Sequence, residues 1–287
     1  MSMNQSVLIC DQVNPVLNEI LEKNGLQITY EPEITPEQIQ DKIENFEVVI
    51  VRSRTKITKD MIDKATKCQI IARVGVGLDN IDQAAAKEKN IRVINAVEGA
   101  MNAVAELVIG LMLSLAREIP RADREVRNGN WIKKELMGTE LRGKYLGIVG
   151  LGNIGKRLGR LARALNMNII GYDVVPIDEE FSKEVGLMKA DLGTLLASSD
   201  YVSLHVPLLD STKHLINAEK MSTMKNTSRI INTSRGGVID EEALYEFLKD
   251  GKLGGAALDV FEVEPATSNN LATLPNFIST PHMGAQT

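Results

Sequence analysis

The sequence contains only two cysteines in 287 residues, Cys10 and Cys68, and they lie in unrelated contexts. Neither forms a CxxC pair or a Cys/His spacing typical of zinc sites, so no metal site is predicted. Two isolated thiols are compatible with a reducing compartment, and burial is the simplest interpretation of both. We therefore expect a cytoplasmic protein that holds no metal.

Neither a secretory signal nor a membrane span is expected. The first residues, MSMNQSVLICDQ, contain no basic region followed by an apolar one. The most apolar run, 103–116, is short for a membrane span and carries Glu106 near its start. This run predicts a buried helix that is packed on all sides.

A strong charge of one sign is missing as well, because the net charge is −5 and the pI is about 5.4. A mildly acidic chain has no general attraction to nucleic acid or to anionic membranes, and neither is an expected partner. A small anionic ligand must therefore be bound by local basic clusters.

Short Val/Ile-rich runs alternate with helical patterns along the chain, which predicts βαβ units and parallel sheets. The length suits two domains of ~100–200 residues each. A long helix at 100–117 interrupts the alternation, and a second series of strands begins at YLGIVGLGNIG. The expected fold class is therefore α/β, with two doubly wound parallel-sheet domains. In the first series, the predicted helices are 15–23, 36–43, 59–65 and 80–89.

The second series opens with a dinucleotide-binding fingerprint. An apolar strand is followed by GLGNIG, and a helical pattern comes directly after it. Gly150 allows the tight turn, Gly152 lets the main chain approach a pyrophosphate, and Gly155 lets helix and strand pack closely. The N–H groups of Asn153 and Ile154 then face the phosphates.

An acidic residue supports the same interpretation. Asp173 ends the next predicted strand, 23 residues after Gly150, close to the ~20 expected for a ribose-binding acid. Its carboxylate would accept hydrogen bonds from the ribose hydroxyls and repel a 2′-phosphate. NAD is therefore the expected cofactor.

Three later segments place polar side chains at the ends of predicted strands, the edge at which doubly wound sheets bind ligands. They contribute Arg235, Glu264 and His282. Oxidation of a hydroxy acid needs a base of near-neutral pKa, a carboxylate that orients it and raises its pKa, and a guanidinium for the substrate carboxylate. The other histidines fit the base less well, because His205 lies within a strand end and His214 in a polar turn.

The chain resembles the D-isomer-specific 2-hydroxyacid dehydrogenases over nearly its whole length. The resemblance rests on VRSRTKIT, RVGVGLDNID, MGTELRGKYLGIVGLGNIG, NTSRGGVIDEEAL, GAALDVFEVEP and PHMGA. It implies Arg235, Glu264 and His282 as catalytic residues, with Glu264 as the partner of the histidine. Further cofactor contacts are implied for Asn153, Ile154, Asp173, Val206, Pro207, Thr233, Ser234, Asp259, Gly284 and Ala285, and among them Asp259 would lie by the nicotinamide amide.

The resemblance also implies the domain organisation. A flavodoxin-like substrate domain is expected at 1–98 and a Rossmann NAD-binding domain at 99–284. Residues 285–287 would begin a C-terminal return segment that relatives possess and this chain lacks. A homodimer is expected through the long helix 100–117 and the segment 118–145.

Basic residues after two neighbouring strands bear on the substrate. Arg52, Arg54 and Lys56 alternate along one segment, and Arg73 ends the adjacent strand. They indicate either an anionic substrate group beyond the carboxylate or a solvated basic face. The resemblance favours a phosphate held by Arg52, Arg54, Lys56 and Arg73, with Ser53 among the substrate-binding residues and the N–H groups of Val76 and Gly77 on the carboxylate. Lys133 and Lys134 match a segment that reaches the partner subunit's site in this family.

The leading hypothesis is NAD-dependent oxidation of D-3-phosphoglycerate to 3-phosphohydroxypyruvate, the entry step of serine synthesis. The alternative is a glyoxylate, hydroxypyruvate or D-lactate-type reductase of the same family. Less favoured are an NAD-sensing corepressor that binds peptides and an inactive fragment that only binds NAD.

Overall fold

The computed structural model describes residues 5–287, with the exception of the side chains of Val97 and Glu98. It divides into two compact units, of which the first ends at Ala100 and the second begins at Met101. This division lies two residues from the predicted domain boundary. Each unit contains a parallel sheet, which confirms the predicted fold class.

The first unit has a five-stranded parallel sheet. Its strands are β1 (Ser6–Ile9), β2 (Gln27–Tyr30), β3 (Val48–Val51), β4 (Ile70–Arg73) and β5 (Arg92–Asn95). Its helices are α1 (Pro15–Lys23), α2 (Pro36–Lys42), α3 (Lys59–Lys64) and α4 (Gln83–Glu88), with a 3₁₀ turn at Ile43–Asn45. The strand order β2-β1-β3-β4-β5 is the flavodoxin-like order that the sequence predicted.

One predicted helix boundary in this unit is wrong. Helix α4 begins at Gln83 instead of residue 80, because the Asp82 side chain caps it by accepting from the Ala85 N–H at 2.9 Å. The Asn80 side chain instead donates to the carbonyl oxygens of Arg52 and Thr55, at 2.8 and 2.7 Å. Asn80 therefore belongs to the loop that joins β4 to α4.

The second unit has a seven-stranded parallel sheet of order β8-β7-β6-β9-β10-β11-β12 when numbered along the chain. The strands are β6 (Tyr145–Val149), β7 (Asn168–Tyr172), β8 (Met188–Lys189), β9 (Tyr201–Leu204), β10 (Arg229–Asn232), β11 (Gly255–Leu258) and β12 (Phe277–Ser279). The first six follow the Rossmann order, with β6 at the centre, and β12 extends it.

Seven helices accompany this part of the described chain. They are α5 (Val97–Arg117), α6 (Ile119–Arg127), α7 (Asn153–Ala164), α8 (Glu179–Val185), α9 (Leu192–Ser198), α10 (Ala218–Ser222) and α11 (Glu241–Lys249), with 3₁₀ turns at Lys133–Glu135 and Asn270–Thr273. Helix α5 begins three residues before its predicted start.

Helix α5 is buried on one face only, so the prediction of packing on all sides is wrong. Val108 and Met112 are fully buried in the core of the second unit, whereas Glu106 and Leu113 are exposed. The stretch Gly99–Arg117 is long and apolar enough to cross a membrane by length and composition alone. Its apolar face packs against the sheet of the second unit, which is the position of a core helix.

Candidate active site

The glycine-rich turn between β6 and α7 has the shape that a dinucleotide requires. Gly150 has a φ of +92°, and a Cβ there would lie 2.5 Å from the His205 carbonyl oxygen. A Cβ at Gly155 would lie 2.1 Å from the Gly150 carbonyl oxygen, whereas one at Gly152 would meet nothing within 4 Å. Within residues 5–287, no side chain caps α7, so the first N–H groups of this helix can donate to a pyrophosphate.

Asp173 follows β7 and holds the middle of the same turn. One carboxylate oxygen accepts from the Leu151 N–H at 2.6 Å, and the other accepts from the Val175 N–H at 3.1 Å. Each carboxylate oxygen has a second lone pair, so both can still accept from a ribose hydroxyl. The ribose contact stays a prediction, and the support of the glycine turn is a role that the sequence did not reveal.

The turn after β10 carries Thr233 and Ser234. The Asn232 side-chain oxygen accepts from the Ser234 N–H at 3.0 Å and from its hydroxyl at 2.7 Å. The Thr233 hydroxyl oxygen is buried and has no hydrogen-bond partner among the described residues. A buried polar group without a partner costs about 1–3 kcal/mol, which a bound ligand would offset. This hydroxyl and the glycine turn therefore fit a dinucleotide.

The His282 ring and the Glu264 carboxylate are in direct contact. Nδ1 of His282 lies 2.8 Å from Oε2 of Glu264, while Oε1 of Glu264 accepts from the Phe261 N–H at 3.1 Å. An ionised carboxylate can only accept, so Nδ1 carries the proton and Nε2 keeps its lone pair. The His282 side chain is 54% exposed, and its Nε2 makes no hydrogen bond within the described chain. A ligand can therefore reach the basic nitrogen.

Asp259 shapes the loop that presents His282. Its carboxylate is 1% exposed and accepts from the Thr280 hydroxyl at 2.6 Å and from the N–H groups of Met283 and Gly284 at 2.9 Å each. The His282 N–H donates to the Asp259 carbonyl oxygen at 2.9 Å. These bonds hold His282 at its φ of +51°. The predicted contact of Asp259 with the nicotinamide stays a prediction.

Arg235 lies on the turn after β10, the strand that pairs with β11. At the ends of β10, β11 and β12, Asn232 pairs with Leu258, and Leu258 pairs with Ser279. The Arg235 carbonyl oxygen accepts from the Asn232 amide at 2.8 Å, and its guanidinium donates to the Ser234 carbonyl oxygen at 2.6 Å. The three predicted catalytic residues therefore follow three adjacent strands.

The turn with Arg235 and the loop with Glu264 are also in main-chain contact. A Cβ at Gly236 would lie 1.8 Å from the Phe261 carbonyl oxygen. Only glycine permits this approach, so the relative position of Arg235 and Glu264 depends on Gly236.

In the first unit, an unpredicted residue organises the arginine-rich loop after β3. Asp11 lies two residues after β1 and is 2% exposed. Its carboxylate accepts from the Arg52 N–H, from the Thr55 hydroxyl at 2.8 Å and from Arg54 Nε at 3.1 Å. An aspartate just after an apolar strand was the sequence signal that could have identified it.

The Arg54 guanidinium is largely used within the protein. Besides Asp11, it donates to the carbonyl oxygens of Cys10 at 2.6 Å, Pro32 at 2.8 Å and Ile34 at 3.2 Å. Arginine has five N–H donors, so these four bonds leave one for a ligand. The side chain is 48% exposed. Arg54 can therefore give a bound anion its charge and one hydrogen bond.

The loop after β4 contains two backbone N–H groups, those of Val76 and Gly77, that the rest of the described chain leaves available. The Arg73 guanidinium donates to the Gly77 carbonyl oxygen, and the Asn95 side chain donates to that of Val76. The N–H groups of Val76 and Gly77 make no hydrogen bond in the part of the chain that the structure describes. Available N–H groups of this kind can bind an anion, and the contact with the substrate carboxylate stays a prediction.

Other predicted contact residues lie at the surface. Val206 is half-buried behind the glycine turn, and Lys133 and Lys134 lie in the 3₁₀ turn of the second unit. Their contacts with a ligand stay predictions. The remaining exposed positions are Ser53, Pro207 and Ala285.

His205 is unsuited to proton transfer near neutral pH. Burial lowers its pKa to about 4, and its Nε2 lies 2.9 Å from the Ser203 hydroxyl. Among the residues described, His, Cys, Asp and Glu side chains form no group of three or more that could hold a metal ion. Of His205 and His282, only His282 therefore has a ring nitrogen suited to proton transfer near neutral pH.

The fold and these contacts define an NAD-binding Rossmann domain with a histidine–carboxylate pair. Residues 109–284 match the family model described as "D-isomer specific 2-hydroxyacid dehydrogenase, NAD binding domain". This match covers more than half of the chain, and the chain belongs to that family. Family membership confirms the predicted NAD-binding domain and its cofactor.

Individual relatives differ in their reactions. The D-3-phosphoglycerate dehydrogenase of Methanocaldococcus jannaschii is 46% identical over 282 residues, which cover 98% of this chain and 53% of that protein. The hydroxypyruvate reductase of Thermotoga maritima is 46% identical over 271 residues, 93% of this chain and 87% of that protein. A glyoxylate reductase structure from Paecilomyes thermophila has a TM-score of 0.91 at 30% identity, and the match covers 100% of this chain and 90% of that one. The chain thus spans about half the length of the phosphoglycerate dehydrogenases it matches.

Proposed function

We propose that this chain oxidises D-3-phosphoglycerate to 3-phosphohydroxypyruvate with NAD. The observation that carries the reaction class is the 2.8 Å contact between His282 and Glu264 in a domain with a dinucleotide-binding turn. NAD, when bound, accepts the hydride from C2 of the substrate. The N–H groups at the start of α7, the Asp173 carboxylate and the Thr233 hydroxyl are the groups that would hold it.

The residues of the chain handle the proton and the carboxylate. Nε2 of His282 accepts the substrate hydroxyl proton, and the Glu264 carboxylate stabilises the imidazolium that results. Arg235 pairs with the substrate carboxylate and polarises the C2 oxygen. The alcohol thereby becomes a ketone, after losing one proton to the histidine and one hydride.

The phosphate assignment rests on the first unit and on the relatives. The carboxyl ends of β3 and β4 are adjacent, and Val51 pairs with Arg73, so Arg52 and Arg73 lie near each other. With Arg54 on the same loop, these cations suit a substrate with a second anionic group. The phosphoglycerate dehydrogenase that is 46% identical supports the same substrate.

One observation favours hydroxypyruvate reduction as a second candidate. The Arg54 guanidinium already makes four hydrogen bonds within the protein, so it cannot grip a phosphate in a bidentate manner. The Thermotoga maritima reductase also matches this chain over most of its own length. Hydroxypyruvate differs from the phosphorylated product only by the phosphate, so the two candidates can be compared directly.

The test compares kcat/KM for reduction of 3-phosphohydroxypyruvate and of hydroxypyruvate, followed by NADH absorbance. Arg54→Ala should lower kcat/KM for the phosphorylated substrate about 30- to 150-fold, equivalent to 2–3 kcal/mol. The unphosphorylated substrate should lose clearly less, because the phosphate contact is specific to one substrate whereas the loop bonds of Arg54 serve both.

The substrate pair separates recognition from folding damage, because a misfolded variant loses activity toward both. Lys64→Ala removes an exposed cation of α3 in the same unit and should change neither value. Equal losses for both substrates in an Arg54→Ala protein that melts at the wild-type temperature would eliminate the phosphate assignment in favour of the reductase.

We further propose a cytoplasmic homodimer. Trp131 and Met137 are 81% and 86% exposed in the segment after α6, and such concentrated apolar exposure is typical of an interface. Lys133 and Lys134 lie in the same segment and would then face the partner subunit. Sedimentation velocity should show a dimer that Trp131→Ser weakens, and a monomeric wild-type protein would exclude this arrangement.

A further inference from the structure

Two residues before Glu264, the same loop carries Glu262, whose side chain contacts a second histidine, His214. Nε2 of His214 lies 3.0 Å from Oε1 of Glu262. Both side chains are 37% exposed, so as an isolated ion pair they would contribute little. The pair matters because the main chain at His214 is bonded to the turn that carries Arg235, while Glu262 lies on the loop that carries Glu264.

His214 binds the turn of Arg235 through its main chain. Its N–H donates to the Gly237 carbonyl oxygen at 2.7 Å, and two residues later the Ile216 N–H donates to the Val238 carbonyl oxygen at 3.2 Å. Ile216 and Ile239 continue this contact as a parallel bridge. One residue thus joins two loops, with its main chain on the Arg235 turn and its side chain on the Glu264 loop.

Between these anchor points the two loops meet without an intervening side chain. A Cβ at Gly236 would lie 1.8 Å from the Phe261 carbonyl oxygen and 2.7 Å from the Glu262 nitrogen. Val238, Ile239 and Phe261 pack in the same buried cluster, but at Gly236 itself the contact is main chain against main chain. The hydrogen bonds at the margins of this contact therefore help to set its register, and the His214–Glu262 bond is one of them.

Glu241, the first residue of α11, provides the other margin. Its Oε1 accepts from the Glu262 N–H at 2.6 Å, while the Glu241 N–H lies 3.3 Å from Glu262 Oε1. Burial, together with the charges of Glu262 and Glu264, raises the pKa of Glu241. The loop therefore places three carboxylates close together, and His214 supplies a donor to the middle one.

We propose that His214 is a positioning residue for the hydroxy-acid reaction. Through Glu262 it fixes the Glu264 loop against the Arg235 turn, so that the carboxylate behind His282 and the guanidinium keep their separation when substrate binds. The kinetic part of this inference rests on the proposed function. A misplacement of about 1 Å can lower a rate about 10²-fold, so a small slip of this contact is measurable.

The test variant is His214→Asn. Asparagine tolerates the φ of +48° at this position, but its shorter side chain cannot reach Glu262. We expect kcat for hydroxypyruvate reduction to fall about 10- to 100-fold, while the NADH dissociation constant, measured by fluorescence, changes less than about twofold. His214→Gln, whose amide can occupy the Nε2 position, should restore kcat to within about threefold of wild type. Lys213→Asn, at the exposed neighbouring position, is the matched control.

A second readout does not depend on turnover. The chain contains only three histidines, so the Hε1 resonance of His282 can be assigned by NMR. It should move in His214→Asn and not in Lys213→Asn. If the wild-type protein reduces no 2-oxo acid while this resonance moves, the proposed function fails and the positioning role stands.

Two results would overturn the positioning role itself. One is a kcat for His214→Asn within threefold of wild type together with an unmoved His282 resonance. The other is a kcat loss that His214→Gln does not restore although this variant melts at the wild-type temperature, which excludes strain from the positive φ at this position. A double variant, His214→Asn with Glu262→Ala, should be no slower than the slower single variant, and additive losses would also contradict a shared contact.

Discussion

Replacing Glu264 by glutamine keeps the size of the side chain but removes its charge and one acceptor. In the structure, Oε2 accepts from His282 Nδ1 at 2.8 Å and Oε1 accepts from the Phe261 N–H at 3.1 Å. Glutamine has a single oxygen, so it can satisfy only one of these donors. Its NH₂ group must then face either the imidazole or the backbone N–H.

The two orientations have different consequences. If the NH₂ group faces His282, Nδ1 must accept, and the ring proton moves to Nε2, where the base for oxidation should be. If it faces Phe261, a backbone N–H loses its partner, at a cost of about 1–3 kcal/mol, and the imidazolium loses its neighbouring charge. We expect the first orientation and a fall in kcat of about 10²–10⁴, or roughly 3–5 kcal/mol of barrier.

The assay is the oxidation rate with saturating NAD and 3-phosphoglycerate, followed by NADH absorbance, or with the best hydroxy acid of a substrate panel. NADH binding should be unchanged, because Glu264 lies outside the glycine turn. Glu242→Gln, an exposed acid on α11, serves as the control for loss of one negative charge. A kcat for Glu264→Gln within threefold of wild type would refute the assignment of His282 and Glu264 as the acid–base pair.

Three further predictions concern stability and reactivity. Burial lowers the pKa of His205 to about 4, so the native protein cannot take up the proton that the unfolded histidine binds, and the free energy of unfolding falls from pH 7 to pH 5. His205→Asn should reduce that loss, measured in urea titrations, by up to about 2 kcal/mol. An unchanged loss would argue against this role of His205. Burial raises the pKa of Cys10 to about 12 and that of Cys68 to about 11. Mass spectrometry should therefore show iodoacetamide labelling of both thiols at pH 8 only in denaturant, and labelling of the native protein would contradict this burial. Gly155→Ala, whose Cβ would meet a carbonyl oxygen at 2.1 Å, should lower the stability measured in thermal melting by about 1–3 kcal/mol or more. Gly152→Ala should leave it unchanged, and equal melting of the two variants would contradict the packing argument.

Features that depend on neighbours in sequence could be predicted from the sequence. The alternation of strands and helices and the glycine turn are examples, because periodicity and turn chemistry are local. Helix α6 was not predicted, since none of its residues is buried and five of its nine residues are charged, which obscures its short apolar stripe; ion pairs such as Arg127–Asp123 support it. Strand β8 was also missed, because two exposed residues, Met188 and Lys189, carry no recognisable pattern.

Contacts between distant residues could not be predicted. His214 and Glu262 are 48 positions apart, and Asp11 and Arg54 are 43 apart. A hydrophobic pattern indicates which face of an element is buried, but it does not tell which polar side chains meet at a strand end. The sequence therefore predicted Arg54 as a ligand-binding cation without revealing that its guanidinium already binds the loop around it.

The buried acceptors at the strand ends explain why polar residues at this edge are easily misassigned. Loops at the carboxyl edge of a parallel sheet contain N–H groups that no strand satisfies, and each needs an acceptor. A short buried carboxylate or amide can supply it without lengthening the loop, and it then fixes the loop's conformation. Polar residues therefore occur at this edge for two reasons: some bind a ligand and others fix the conformation of the loop. Their hydrogen-bond partners in the structure distinguish the two kinds. The loop-holding residues in this chain are Asp11, Asn232 and Asp259, which accept from the loops that carry Arg54, Arg235 and His282.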